Sequence, residues 1–413
     1  LSSIVFDFLV VAGIIVFGYA SDQFFRRTGV PSFIFLILIG VLLGPVFGIF
    51  PRASILSSLG IFAELTLLVV LFYGGMDTKI GSAVSGGGRA FIQVMLYVLP
   101  STLLIGLLLS YLLHWGLVLS LIFASMVGGE TTAAVVIPLS RSLKLPETTV
   151  TFLTLESAMN SVLSIILFFA FVQVFSTGSN NWYATFTSVV ANFSIGIVVG
   201  GALSLAWVYL LGNSKSQRYT YVFTIGLIFL TYSFSSLVGG SGELSVLVFG
   251  IVLGNYRLVN SLLNTRIQMD ELQSQLSVFH GELTFLLETL FFVSLGLALA
   301  IDVRQILYNF SISVMLLAVL LAVRFLAVSA STARSELRLQ KPIITLMCAQ
   351  GLVPATLAIL SVEMNLPLSS TFLNLATYVI VLTNVVTAAG SVWTMASRKY
   401  SFREFMSGLE GSG

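Results

Sequence analysis

Charge is what this sequence has least of. Asp, Glu, Lys and Arg make up 9% of its 413 residues, against about 25% in a soluble domain. A chain that is 57% hydrophobic cannot cover its surface with polar side chains, so lipid has to be the solvent for most of it. Cysteine is nearly absent. Cys348 stands alone, which excludes an intramolecular disulfide and leaves the redox compartment unread. Alternating ten-residue segments of the kind that build membrane barrels are missing, so strands are not expected. No cluster of metal ligands and no nucleophile–base pair occurs, which argues against an enzyme, a cofactor or a structural metal. The net charge of +2 gives no sign of nucleic acid as a partner. The first apolar stretch carries Asp7 and lacks a basic flank, so it is not expected to be a signal peptide.

Long apolar runs are what the sequence does have. A spanning helix needs roughly 20 apolar residues. Thirteen segments qualify: 4–21, 31–50, 58–76, 90–113, 115–141, 147–175, 185–212, 219–238, 242–256, 278–301, 306–332, 341–361 and 369–396. The expected fold is an all-α polytopic membrane protein. The polar, amphipathic stretch 261–275 is expected to lie along the membrane surface. Basic residues test the count, because cytoplasmic loops collect Lys and Arg. With thirteen spans, sixteen of the nineteen fall in loops on one side, and only Arg52 and Arg304 fall on the other. That places the N-terminus outside and the C-terminus in the cytoplasm, as expected of a plasma-membrane protein. The nineteenth, Arg324, sits inside the eleventh span. Residues 397–413 are expected to be a cytoplasmic tail, and Leu409-Glu410-Gly411-Ser412-Gly413 reads as a tag remnant.

Two spans are interrupted near mid-membrane. The fifth contains Gly128-Gly129-Glu130-Thr131-Thr132, with Pro138 following. The twelfth contains Gln350-Gly351-Leu-Val-Pro354. Their positions match if residues 1–175 form one six-helix repeat, 185–212 a linking helix and 219–396 a second repeat in opposite orientation. Paired broken helices of this kind mark inverted-repeat transporters. Unwound backbone persists at that depth only where it is buried in protein or lines a wet cavity.

Ionisable groups inside the membrane each need a reason. Counting from the cytoplasmic end at 1.5 Å per residue puts Glu130, Glu156, Glu288 and Arg324 in one layer, roughly 12–17 Å deep. Three carboxylates beside one guanidinium cannot all stay bare there, so the layer is expected to hold protons or cations. Arg324 and Glu156 can form an ion pair that locks two helices. Glu288 is either a second partner for Arg324 or a group facing the permeation path. Span six adds Ser157, Asn160 and Ser161. Glu156 and Asn160 are four apart, as are Ser157 and Ser161, so each pair stacks on one helix face. Asn160 is placed to bond the freed backbone of span five. Thr131, Thr132, Ser157 and Ser161 offer neutral oxygens suited to a partly dehydrated alkali cation. Glu64 and Glu243 are expected near outer helix ends, and His114 and His280 at the interfaces.

These residues resemble the monovalent cation/proton antiporter superfamily in its NhaP-like branch. Gly29-Val-Pro31-Ser-Phe with Gly40-Val-Leu-Leu-Gly44-Pro45 is similar to its opening motif. Ala134-Val-Val-Ile-Pro138 resembles the run after its first broken helix. Glu156-Ser157-Ala158-Met159-Asn160 resembles the motif that ends in Asn-Asp. Phe249-Gly250-Ile-Val-Leu-Gly254-Asn255, Phe291-Phe292-Val-Ser-Leu-Gly296, Val323-Arg324-Phe-Leu-Ala327 and Gln350-Gly351-Leu-Val-Pro354 fit further segments. The resemblance implies a NhaA/NhaP-type fold, with spans four to six and eleven to thirteen as a core and a homodimer built on the rest. It also implies elevator-like alternating access, pairing of Glu156 with Arg324, and exchange of Na⁺, K⁺ or Li⁺ for H⁺. Two departures stand out. The aspartate expected after Asn160 is Ser161, and the family's Thr-Asp pair aligns with Thr131-Thr132. Glu130 is the nearest replacement acid. The alternative is an antiporter fold without proton coupling, which would be a passive conductor, a carrier of another solute, a sensor or a binding-deficient variant.

Overall fold

A computed structural model describes residues 3–50, 52–78, 80–177, 182–213, 219–263, 270–299 and 303–410. The described residues contain helices and no strand. The elements are α1 (Ser3–Thr28), α2 (Ser32–Val41), α3 (Arg52–Asp77), α4 (Ile80–Leu112), α5 (Leu117–Val127), α6 (Ala133–Ser142), α7 (Glu147–Thr177) and α8 (Trp182–Asn213). They continue as α9 (Thr220–Leu237), α10 (Gly242–Gly254), α11 (Tyr256–Leu263), α12 (Asp270–Ala298), α13 (Val303–Ser331), α14 (Lys341–Leu346), α15 (Leu352–Glu363) and α16 (Ser369–Glu410). A π-helical turn, Leu42–Val46, extends α2 around Pro45, and a 3-10 turn, Glu336–Gln340, leads into α14. Among the described residues, nine helices are long and apolar enough to cross a membrane. The apolar runs expected at 115–141 and 341–361 are each two short helices with a non-helical gap between them.

The helices pack in two groups. In one, α4, α5, α7, α13, α15 and α16 pack against one another. In the other, α3 and α10 pack together, with α8 on α10 and α2 on α12. The groups meet mainly where α15 lies against α3. Large apolar side chains still face outward on α1, α4, α8, α9 and α13, for example Phe8, Leu103, Val198, Val222 and Leu326. Lipid is the solvent those faces suit.

Small residues set the closest approaches. A Cβ at Gly40 would lie 2.1 Å from the Val293 carbonyl oxygen, and one at Gly296 would lie 2.3 Å from that of Ile37. The backbones of α2 and α12 therefore touch, and only glycine fits at the crossing. Gly296→Ala should push them apart at a cost of about 1–3 kcal/mol, the usual price of overpacking. A lowered thermal unfolding midpoint in detergent would register this; an unchanged midpoint would mean the crossing is looser than drawn.

Two expectations need correction. The stretch 261–275 is not one surface segment: Asp270 already begins α12, and residues 264–269 lie outside the described residues. His280 is not interfacial. It is fully buried, with the Phe72 ring of α3 at 4.8 Å and the adjacent Phe279 ring at 5.3 Å. The side chains of Asp7, Arg52 and Arg304 lie outside the described residues. Glu243 is buried and accepts a hydrogen bond from Ser241 at 2.9 Å, while Glu64 accepts one from the Tyr232 hydroxyl.

Candidate functional site

The two helix gaps touch. Helix α5 ends at Val127 and α6 begins at Ala133; α14 ends at Leu346 and α15 begins at Leu352. Each gap leaves carbonyls on one side and N–H groups on the other without intrahelical partners. The gaps supply part of what each other lacks. The Thr132 N–H donates to the Ala349 carbonyl at 2.7 Å, and the Gln350 side-chain amide donates to the Val127 carbonyl at 2.6 Å. The Gly351 N–H, at the start of α15, donates to a Glu130 carboxylate oxygen at 3.2 Å. A carboxylate is favoured there by the positive end of the helix dipole. Gly351 has to be glycine, because a Cβ would fall 2.8 Å from the Thr132 side chain.

The helix after each broken pair, α7 after α5–α6 and α16 after α14–α15, completes the gap. On α7, Ser157 donates to the Thr131 carbonyl and Asn160 donates to the Thr131 hydroxyl at 3.0 Å. Asn160 was expected to bond freed backbone. Ser157 does that instead, and Asn160 bonds the side chain of the same residue. On α16, the Thr383 and Thr387 hydroxyls accept from the N–H groups of Gln350 and Cys348, both at 3.2 Å, and the Asn384 amide donates to the Gln350 carbonyl at 2.7 Å. Sequence reading passed over Thr383, Asn384 and Thr387. Their signal was a Thr-Asn-x-x-Thr pattern in an apolar span, the counterpart of Ser157 and Asn160.

Glu130 is 1% exposed and faces this junction. Besides Gly351, it has the Ser161 hydroxyl at 3.5 Å, the outer limit of a hydrogen bond. No guanidinium or ammonium pairs with it among the described residues. Around the junction the side-chain carbonyl oxygens of Asn160, Gln350 and Asn384 are buried without a donor among the described residues. Buried polar oxygens ordinarily have a partner. Oxygen ligands of this sort, one ionisable and the rest neutral, suit an alkali cation or a proton.

Glu156 and Arg324 are fully buried beside the junction. Arg324 Nη1 donates to Glu156 Oε1 at 2.7 Å and Nη2 to Oε2 at 3.3 Å. The same guanidinium donates to the carbonyls of Ile344, Thr345 and Met347 at distances between 2.7 and 3.2 Å. These groups lie at the C-terminus of α14, where a cation is favoured. Tyr97 lies over the guanidinium at 4.9 Å. Gln93, which sequence reading also passed over, donates to Glu156 Oε1 at 3.3 Å and accepts from Ser331 at 2.8 Å. It was the one amide in an otherwise apolar stretch of α4.

The structure therefore brings together Glu130, Thr131, Thr132, Ser157, Asn160, Ser161 and Gln350, with the Glu156–Arg324 pair alongside. It does not bring Glu288 to Arg324, whose donors are taken by Glu156 and the α14 end. Glu288 lies on α12, in the other packing group, with no hydrogen bond or ion pair among the described residues.

The family model described as "Sodium/hydrogen exchanger, transmembrane" matches residues 11–396. The chain belongs to this family. A K⁺/H⁺ antiporter, NhaP2, of Shewanella sp. strain MR-4 is 28% identical over 243 residues, covering 55% of this chain and 40% of that protein. Sodium/hydrogen exchanger 8 of Arabidopsis thaliana is 26% identical over 261 residues, covering 59% of this chain and 34% of that one. The chain thus spans less than half the length of these curated relatives. The structure of the sodium proton antiporter MjNhaP1 from Methanocaldococcus jannaschii at pH 8 superposes with a TM-score of 0.80 at 18% identity, covering 95% of this chain and 98% of that one. The exchanger-family fold is accordingly that of an NhaP-type, all-α, multi-pass membrane protein.

Proposed function

We propose that the chain is a secondary active transporter that exchanges a monovalent cation for H⁺ by alternating access. Na⁺ is the first candidate, with K⁺ and Li⁺ behind it. One observation carries the reading: a single unpaired carboxylate, Glu130, stands among neutral oxygens where two helix breaks meet. A site with one acid holds either a proton or one cation, so the two ions compete and neither returns without the other. Thr131, Thr132, Ser157, Asn160, Ser161 and Gln350 are the neutral ligands in this proposal. Glu156 is held by Arg324 and acts structurally.

The same reading counts thirteen spans. The nine long helices are joined by α2 with its π turn, by α10, and by the pairs α5–α6 and α14–α15, each pair taken as one broken crossing helix. It divides the chain into repeats at 1–175 and 219–396 about a linking helix at 185–212. That each broken pair is bonded by the helix after it, α7 in one case and α16 in the other, supports the symmetry. The basic loops are assigned to the cytoplasm, the N-terminus to the outside, and a second copy of the chain to the α2, α3, α8, α10 and α12 group.

The test is reconstitution into vesicles under an imposed proton gradient, with Na⁺, K⁺ or Li⁺ added in turn. Cation-dependent dissipation is expected. Its absence with every cation at every pH would remove the proposal. Because one acid alternates between H⁺ and a single cation, the loaded site carries the same charge in both directions. Clamping the membrane potential should leave the exchange rate unchanged, whereas a rate that follows the potential would require a second titrating group.

A further inference from the structure

A groove on the other side of α14 has chemistry that the exchange site does not use. It is a shallow, open depression of about 540 Å³, lined by Phe325 of α13, Lys341, Pro342, Thr345 and Leu346 of α14, and Trp393 of α16. Phe325 and Trp393 are each about half exposed, at 49% and 54%. Lys341 holds its ammonium 4.0 Å from the centre of the Phe325 ring, and no carboxylate pairs with it among the described residues. Arg334 and Arg338, both exposed, precede it. The groove opens beside α13 and α16, two helices long and apolar enough to cross a membrane. An open apolar groove, an indole at its rim and a cation without a carboxylate partner are together what a phospholipid with an anionic headgroup fits: acyl chain along the wall, phosphate on the ammonium.

We propose that this groove binds an anionic phospholipid and that the lipid steadies the α14 end that holds Arg324. The connection runs through two residues. Thr345 and Leu346 form the groove wall, while the Thr345 carbonyl accepts from Arg324 at 3.1 Å and the Leu346 carbonyl accepts from Thr387 at 3.0 Å. Gly390, one turn before Trp393, lets α16 close on Leu346, since a Cβ there would lie 2.7 Å from the Leu346 side chain. An occupant of the groove therefore presses on the short helix whose last carbonyls fix the buried guanidinium. The inference needs the membrane location of the chain and not its exchange activity, so it can fail without the transport reading failing.

The experiment is thermal unfolding of the full chain in detergent. Phosphatidylglycerol and phosphatidylcholine with identical acyl chains are added in parallel, with inorganic phosphate as a third arm. Phosphatidylglycerol should raise the midpoint by about 2–4 °C more than phosphatidylcholine. Lys341→Gln should erase that difference, and Arg338→Gln, which removes a charge outside the groove, should keep it. The proposal is overturned if the two lipids act alike on the unaltered chain, or if the difference survives Lys341→Gln. It is equally overturned if Arg338→Gln erases as much, which means diffuse surface charge, or if phosphate alone reproduces the effect. The lipid comparison on the unaltered chain decides the charge requirement even where a variant does not fold.

Discussion

Glu130→Gln should reduce cation-dependent dissipation of a proton gradient to the level of empty vesicles. Glutamine has nearly the shape of glutamate and keeps an oxygen for the Gly351 N–H, which lies at 3.2 Å. The junction between the two breaks should therefore survive, and the variant should purify and unfold like its parent. What it loses is the ability to ionise. A unit charge 4 Å from a cation contributes about 4 kcal/mol at an effective dielectric constant of about 20. Removing it lowers cation affinity by about three orders of magnitude, and the proton has no carboxylate to return on. Glu130→Asp retains the charge on a shorter stem and should keep part of the activity. Exchange that persists unchanged in Glu130→Gln, with a normal unfolding midpoint, would shift the argument to a conductor or a carrier without proton coupling. Ser161→Asp tests the same pocket from the opposite wall, since its hydroxyl stands 3.5 Å from the Glu130 carboxylate. If that replacement switches on exchange that the parent lacks, Ser161 marks a crippled antiporter and Glu130 has not taken over the missing role.

The breaks were readable because glycine and proline punctuate helices whatever surrounds them. Gly128-Gly129 and Gly351 with Pro354 announced the gaps, and Glu130 stood out as an acid in an apolar run. The Glu156–Arg324 pair was legible in part, because two ionisable groups in spanning helices must find partners. That they choose each other, leaving Glu288 aside, depends on which helices pack together. The α16 contributions were lost for a different reason. Thr383, Asn384 and Thr387 are uncharged, and hydroxyls are ordinary helix-packing residues in membranes. Only the position of the second break beside them reveals their use. Gln93 was missed likewise, as a neutral amide whose partners lie 63 and 238 residues away in sequence. His280 was misjudged because a ring that covers it, Phe72, comes from α3, far away in sequence.

Arg324→Met should be the most destabilising single replacement in the chain. It leaves the Glu156 carboxylate buried with Gln93 as its remaining side-chain donor, at 3.3 Å. Breaking a buried pair from one side costs about 3–5 kcal/mol. It also strips the Ile344, Thr345 and Met347 carbonyls of the guanidinium that now satisfies them, and each buried orphan costs about 1–3 kcal/mol. Glu156→Gln should be milder, because Arg324 keeps those carbonyls and gains an amide oxygen in place of the carboxylate. The double replacement Glu156→Leu with Arg324→Met separates two accounts of the pair. If Arg324 served only to neutralise Glu156, exchanging both for apolar groups would restore most of the stability, as it often does for buried ion pairs. Here the carbonyls at the end of α14 remain without donors, so recovery should be partial. A double-mutant cycle on the unfolding midpoint measures the difference. Full recovery would mean that the guanidinium is a counter-charge and not the clasp that ends α14. Partial recovery would mean that the second break, and with it Gly351 against Glu130, depends on an arginine outside the proposed ion site.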